Sequence, residues 1–239
     1  MSESRLPLGV GLYSRADASR LLGMHPARIN RWVRGYSYSW MATAQRRRGH
    51  KPPVIHTDLP RIDGAIVLSF VELMELRVVQ EFIVRGIPLQ TVRVAWEHAC
   101  KAFNAKHPFA DQRMFVDAGA IFMAVDGADS SDVLEVSHRG HPFQVVAGPI
   151  FAQSLEELEF DEGSSLARRW WPLGRGVPVV LDPRIAFGAP VVAGTGIRTE
   201  TVAFYARRNP IDAVAKAYGV EALTMQAALK FESRLAQAA

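Results

Sequence analysis

Apolar residues recur at helical spacing in three parts of the chain and gather into short β-prone runs between them. In residues 14–35, Ala18, Leu21 and Leu22 form one face, and Ile29, Trp32 and Val33 form a second at i, i+3 and i+4. Ser14 is an N-cap with Asp17 three residues on, Gly23 suits a left-handed C′ position, and Pro26 suits the first turn of a new helix. Two short helices around a tight turn are predicted. In residues 69–103 a Ser69–Glu72 capping box precedes Phe70, Leu73, Leu76, Val79, Phe82 and Ile83. Gly86 ends that helix and Pro88 opens the next, with its stripe at Leu89, Val92, Trp96, Ala99 and Phe103. Residues 200–239 predict three helices: Val202, Tyr205 and Ala206 lie on one side of the first, Ile211, Val214 and Ala215 repeat on the second, and Met225, Ala228, Leu229 and Phe231 point inward on the third. Asn209-Pro210 and Thr224 stand as caps, and Gly219 as the stop between.

The intervening stretches have a different period. Residues 36–53 are aromatic and small, then basic, and end in Pro52-Pro53, which no helix interior tolerates. They fit two short strands with a basic tip, or a basic loop. Residues 109–150 hold four β-prone runs, beginning near Arg113, Ala120, Val133 and Phe143, separated by turn signals at Asp117-Ala118-Gly119, Asp126-Gly127 and Arg139-Gly140. A small antiparallel sheet is expected there. Residues 151–176 read as a connector, with an acidic run (Glu156, Glu157, Glu159, Asp161, Glu162) as a solvated face or frayed helix. Residues 177–181 read as a strand, followed by a Gly-rich hairpin-like stretch to Ile197. The expected class is α+β, mainly α. It comprises a winged helix-turn-helix with a helical hairpin over residues 1–107, a small antiparallel β region over 108–150, a connector over 151–176, and a β-hairpin plus three-helix domain over 177–239.

Composition narrows this picture. The 239 residues are 49% hydrophobic and 22% charged, as expected of a folded soluble chain. No apolar run reaches the roughly 18 residues that cross a bilayer, and the first residues lack a hydrophobic signal core. A cytoplasmic protein without a membrane partner is expected. The single cysteine, Cys100, forms no internal disulfide and is placed on an apolar helix face as a buried thiol. The net charge is +4, but residues 1–51 carry ten Lys and Arg against only Glu3 and Asp17. Residues 52–176 are net acidic, with eleven bases against seventeen acids. The positive potential is therefore concentrated around the first helical pair.

That pair has the form of a DNA reader. Arg28, Asn30, Arg31 and Arg34 fall opposite Ile29, Trp32 and Val33, where they would face a major groove; Arg pairs two-pronged with guanine and Asn with adenine. His25 stands at a helix N-terminus, where backbone N–H groups favour phosphate. Arg46, Arg47, Arg48 and Lys51 would bind phosphates. A solvated helical hairpin is the competing reading.

No catalytic constellation is present: there is no G-x-S-x-G, no H-E-x-x-H and no paired-cysteine spacing. The Gly-rich stretch lacks the Lys and hydroxyl residue of a phosphate loop. His138 and His141 are three apart but have no further ligand nearby. A non-enzymatic protein without cofactor or metal is expected. The segment Arg168-Arg169-Trp170-Trp171 combines the side chains most enriched at interface hot spots, and reads either as a partner surface or as a linker packed on its own domain.

Two resemblances extend these readings. The order helix-turn-helix, basic segment, then helical hairpin with a Gly86-Ile87-Pro88 break resembles the MerR-type winged-helix family over residues 11–103. In that family the second helix enters the major groove and the wing touches the DNA backbone. Here residues 36–69 are long for a wing, and no long dimerising coiled coil follows. The string from Leu181 to Ile197 resembles an antitoxin-associated family catalogued as a domain of unknown function (DUF): Asp182, Pro183, Gly188, Pro190, Gly194, Thr195 and Ile197 match, and Gly196 stands where the family has Arg. The combination resembles a VapB-type antitoxin. The resemblance implies a PIN-domain ribonuclease toxin as partner, operator DNA as target, autorepression of the operon, and a homodimer. It also implies toxin contacts from basic and aromatic residues, for which Arg168, Arg169, Trp170, Trp171 and Arg234 are the candidates. The alternative function is a stand-alone transcriptional regulator whose β region senses a ligand.

Overall fold

The structure, a computed structural model, describes residues 9–42, 45–116 and 143–238. It is an α+β fold, mainly α. A two-residue strand β1 (Tyr13–Ser14) leads into α1 (Arg15–Leu22) and α2 (Pro26–Arg34). The predicted caps form. The Ser14 Oγ accepts from the Asp17 N–H at 3.1 Å, and the Asp17 carboxylate accepts from the Ser14 N–H at 2.9 Å. Ala18, Leu21, Ile29, Trp32 and Val33 are buried between these helices and the core. The hairpin β2 (Tyr36–Ala42) and β3 (Gln45–Lys51) follows, antiparallel and in register from Tyr36 opposite Lys51 to Ala42 opposite Gln45. Strand β4 (Val67–Leu68) pairs with β1.

The helices α3 (Phe70–Val84) and α4 (Leu89–Phe103) form the expected hairpin. The Ser69–Glu72 box closes as predicted, and Glu72, fully buried, also accepts from the Asp58 N–H at 2.5 Å. A single 3-10 turn at Pro108–Ala110 and the short α5 (Gln112–Val116) come next. Then α6 (Phe143–Glu157) runs into the hairpin β5 (Leu158–Phe160) and β6 (Ala167–Trp170).

The expected β region over 108–150 is corrected at its two described ends. The runs beginning at Arg113 and Phe143 lie in α5 and α6, not in strands. Packing overrides the β-prone composition. Phe109 sits 5.9 Å from the Phe82 ring, and Phe115 stands edge-on to Phe151 at 5.2 Å, a spacing served by helical turns over α3. The runs near Ala120 and Val133, with His138 and His141, lie outside the described residues. The connector expected over 151–176 is also corrected. Residues 151–157 belong to α6, and residues 158–170 form a hairpin whose Leu158, Ala167 and Trp170 are buried.

The last part opens with β7 (Val179–Val180) and β8 (Val191–Val192), an antiparallel pair, and continues with α7 (Thr199–Ala206), α8 (Ile211–Tyr218) and α9 (Ala222–Ala238). Val202, Val214, Ala215, Met225, Ala228 and Phe231 are buried as predicted. Thr224 lies inside α9 instead of capping it, and Tyr205 of α7 is 44% exposed. This tail docks on the front of the molecule. The Leu12 N–H donates to the Phe187 carbonyl at 3.0 Å, and Arg20 of α1 pairs with Glu232 of α9 at 3.3 Å.

Candidate nucleic-acid interface

The second helix presents its basic side as its burial requires. Arg28, Arg31 and Arg34 are exposed and Asn30 is half-buried, because Ile29, Trp32 and Val33 hold the other side in the core. The four do not share one direction. At 100° per residue, Arg31 and Arg34 lie opposite the buried stripe, whereas Asn30 and Arg28 lie on its two flanks. There the Arg28 guanidinium donates to the Gln80 side chain of α3 at 3.4 Å. The Asn30 Oδ1 is shielded from solvent with no hydrogen-bond partner among the described residues. Asn30 and Arg34 line a groove of about 570 Å³ with Arg15, Pro26 and the turn at Asp63–Ile66. A shielded acceptor without a partner is uncommon, and a ligand group in this groove would supply one.

His25 has a local role that the sequence did not disclose. It is the N-cap of α2, its Nδ1 accepting from the Ala27 N–H at 3.2 Å. With Nδ1 accepting, the neutral ring carries its proton on Nε2, a donor suited to a phosphate oxygen.

The β2–β3 hairpin is the predicted wing. Arg46, Arg47 and Arg48 are exposed near its tip, and Lys51 is half-buried at its base, opposite Tyr36. Alternation puts Tyr36, Tyr38 and Trp40 on one face of β2. Tyr38 and Trp40 stack at 5.4 Å, Tyr36 lies 6.2 Å from Tyr38, and the Arg31 guanidinium lies 5.0 Å from the Tyr36 ring. A cation and three rings therefore connect the second helix to the wing. Gly35 allows the sharp entry: its φ is +72°, and an added Cβ would fall 2.3 Å from the Lys51 carbonyl oxygen. Arg93 of α4 supports the base of the wing by donating to the Pro52 carbonyl at 3.0 Å.

The residues predicted to contact a partner protein are placed differently. Trp170 is buried, its indole N–H on the Glu157 carboxylate at 3.2 Å. Arg168 donates to Glu159 at 3.3 Å, Arg169 to Asp182 at 2.6 Å and to Glu159 at 3.2 Å, and Trp171 to Glu159 at 2.9 Å. Glu159 is thus surrounded by donors; burial would raise its carboxyl, but those donors hold it below its usual range. The sequence leaves 168–171 open between a partner surface and a segment packed on its own domain; in the structure Glu157 and Glu159, acids that the sequence presents as a solvated run, accept from these side chains. Arg234 is exposed and donates to the Pro172 carbonyl at 3.4 Å.

Sequence reasoning also missed a buried polar centre. Glu75 of α3, fully buried, accepts from the Trp96 indole at 2.9 Å and the Phe109 N–H at 3.3 Å, and lies 2.9 Å from His107 Nδ1. The His107 Nε2 lies 3.1 Å from Asp58. Burial works against a charged His107, but Glu75 and Asp58 outweigh it and push its pKa up to about 9. Glu75 and Trp96 were legible only as members of a helix; the signal that joins them to His107 is tertiary. Burial pushes Cys100 up to about 12, so it stays a protonated thiol. Among the described residues, no group of three or more His, Cys, Asp or Glu is arranged to hold a metal, and no helix is long and apolar enough to cross a membrane.

Residues 11–96 match a family described as "Putative DNA-binding HTH domain", and residues 179–231 match "Protein of unknown function (DUF433)". The chain is 31% identical over 229 residues to "Putative antitoxin VapB45" of Mycobacterium tuberculosis (strain ATCC 25618 / H37Rv), covering 91% of this chain and 92% of that protein. It is also similar to the crystal structure of Rv2018 from Mycobacterium tuberculosis, with a TM-score of 0.69 and 28% identity, covering 94% of this chain and all of that one. These are relatives of a non-enzymatic regulator with a helix-turn-helix DNA-binding domain.

Proposed function

This chain belongs to the family of the antitoxin VapB45, and we propose that it neutralises a PIN-type ribonuclease toxin and represses its own operon by binding operator DNA as a homodimer. The observation that carries the DNA half is the join between α2 and the wing. Arg31 and Arg34 share the open side of α2 with Asn30 at its border, and Arg31 stacks on Tyr36 at the foot of the strand leading to Arg46, Arg47 and Arg48. One rigid surface then offers base-reading side chains beside phosphate-binding ones. Arg31 and Arg34 read base edges, and Asn30 borders them at the edge of the groove. Arg28, His25 and Lys51 border the phosphates, and Arg46, Arg47 and Arg48 neutralise them farther along the backbone.

The toxin half rests on the antitoxin family and on the tail, whose motif is built into the fold. The Asp182 carboxylate accepts from the Arg184 N–H at 2.9 Å and from Arg169 at 2.6 Å, and Gly188 seats the tail on β1. The test has two arms: titration of the promoter region of this gene with the purified protein, and co-purification with the protein encoded beside it. Specific binding to the promoter, and a complex that suppresses ribonuclease activity, are expected. Binding no tighter than to unrelated DNA, or undiminished ribonuclease activity in the mixture, would overturn the corresponding half.

A further inference from the structure

The two faces of the wing differ in chemistry. Residues directly opposite each other in an antiparallel hairpin share a face. The register therefore groups Tyr36, Tyr38 and Trp40 with Lys51, Gly49 and Arg47, and groups Ser37, Ser39 and Met41 with His50, Arg48 and Arg46. On the second face the Arg46 guanidinium donates to the Ser39 hydroxyl at 3.1 Å, and Ser37 lies 3.4 Å from His50. On the first face the rings form a platform. Tyr38 and Trp40 are within 24° of parallel with centroids 5.4 Å apart, an offset stack, and remain 40% and 43% exposed. Gly49 makes room for it: a Cβ there would fall 2.7 Å from the Tyr38 ring, so the phenol lies over β3 in the space of the missing side chain. The chain holds no acid between Asp17 and Asp58. Among the described residues, no ion pair engages Arg31, Arg47 or Lys51. Glu97 of α4 acts on Arg93, which holds the foot of the wing at Pro52, so that acid is answered there. The platform is aromatic, open and bordered by uncompensated positive charge.

From this juxtaposition we propose that the aromatic face of the wing binds single-stranded nucleic acid, with unpaired bases stacking on Tyr38 and Trp40 and the phosphates meeting Arg47 and Lys51. The inference goes beyond the operator reading, which uses the charges of the wing and leaves its rings without a role. Open rings beside a row of cations suit a chain that alternates planar bases with phosphates, and every base offers a π-face. A duplex suits this face less well. Its bases stack on one another and present only their edges in the grooves, so flat rings find no face to cover. A second copy of this chain also fits less well, because a two-fold axis through this face would bring two sets of unpaired cations together. An acidic polypeptide or an anionic lipid surface would answer the charge but supplies no planar faces for the rings.

The test uses the full chain and labelled oligonucleotides of about 12 nucleotides: oligo-dT, oligo-U and an unrelated duplex of the same length. Polyglutamate and phosphatidylserine vesicles serve as competitors. Wild type is expected to bind a single strand at least as tightly as the unrelated duplex, and neither competitor should displace the strand at equal charge. Preference for oligo-dT or oligo-U identifies the source of the strand, and either supports the proposal. Tyr38→Ala with Trp40→Ala should lower the ratio of single-strand to duplex affinity at least tenfold, while the slope of log affinity against log salt stays as in wild type, because stacking is lost and charge is kept. Tryptophan emission should be quenched by the bound strand in wild type. Trp40→Phe should keep the affinity within about threefold and lose most of that quenching, a readout that holds even where the double variant folds poorly. Circular dichroism and thermal melting check the fold of each. A wild type that prefers the unrelated duplex, or whose strand is displaced equally by polyglutamate or vesicles, would overturn the proposal. So would a double variant that melts lower but keeps the ratio, since the rings would then only brace the hairpin. Promoter binding by wild type is unaffected by any of these failures, so the operator reading stands or falls separately.

Discussion

The Tyr13 hydroxyl donates to the carbonyl of Gly188 across 2.8 Å, joining residues 175 positions apart. Burial pushes the phenol well above its ordinary range, so the group remains a donor at every accessible pH. The glycine is required twice. Its φ is +87°, and an added Cβ would fall 2.2 Å from the Tyr13 oxygen. With the Leu12–Phe187 hydrogen bond and the Arg20–Glu232 pair, this contact joins the tail to the front of the molecule.

Gly188→Ala should therefore destabilise the whole chain. The left-handed backbone alone costs roughly 1–2 kcal/mol, and the displaced Tyr13 adds to it. Tyr13→Phe keeps the packing but leaves a buried carbonyl unpaired, which costs about 1–3 kcal/mol. Thermal unfolding should show both variants melting below wild type, at roughly 2–4 °C for each kcal/mol. An unchanged melting temperature for Gly188→Ala would mean that the tail does not dock through this contact.

The open side of α2 makes Arg31 and Arg34 more important for operator reading than Arg28, whose guanidinium reaches Gln80. Arg31→Ala and Arg34→Ala should each lower operator affinity by roughly 1–3 kcal/mol and relax the preference at one base position. Arg28→Ala should cost less and leave sequence preference intact. Titration against operators with single-base changes distinguishes these outcomes, and equal losses at all three positions would count against the assignment of faces.

The proposed role of Arg46, Arg47 and Arg48 is to neutralise phosphates through their charge. Removing all three should weaken specific and unrelated DNA alike. It should also flatten the dependence of log affinity on log salt by up to about 0.9 for each phosphate that the wing no longer neutralises. A wing that does not touch DNA would leave the slope unchanged.

The centre formed by Glu75, His107 and Asp58 predicts a stability that depends on pH. The folded pKa of His107 is pushed up to about 9, above the ordinary 6.5. Its stabilisation is complete below the unfolded value and is lost as pH rises through the folded one. The loss is on the order of 3 kcal/mol between about pH 6 and 10. Denaturant midpoints across that range should fall in wild type and fall much less in His107→Gln. Parallel profiles would show that the pair does not titrate in this window.

Much of this architecture is written locally. The capping boxes at Ser14 and Ser69, the stripe at Ile29, Trp32 and Val33, and the alternation of the wing depend on residues within a few positions of each other. Their chemistry reads directly from the chain, and with it the DNA-binding front. The runs at Arg113 and Phe143 carry local β preference, and that signal fails because Phe82, Phe109, Phe115 and Phe151 gain more from helical packing. Local order along the chain sets which segments become helices with a basic side, and where most of the positive charge lies. Long-range packing alone sets which charges remain open to a partner. Arg168, Arg169 and Trp171 find Glu159 within a dozen residues once the chain folds into a hairpin. Arg77 finds Glu157 eighty positions away, at 2.5 Å. Arg207 and Arg208 find no such acid among the described residues and stay free. The reason is physical: a side chain's exposure depends on what the whole chain brings against it, and that information is absent from its neighbours in sequence.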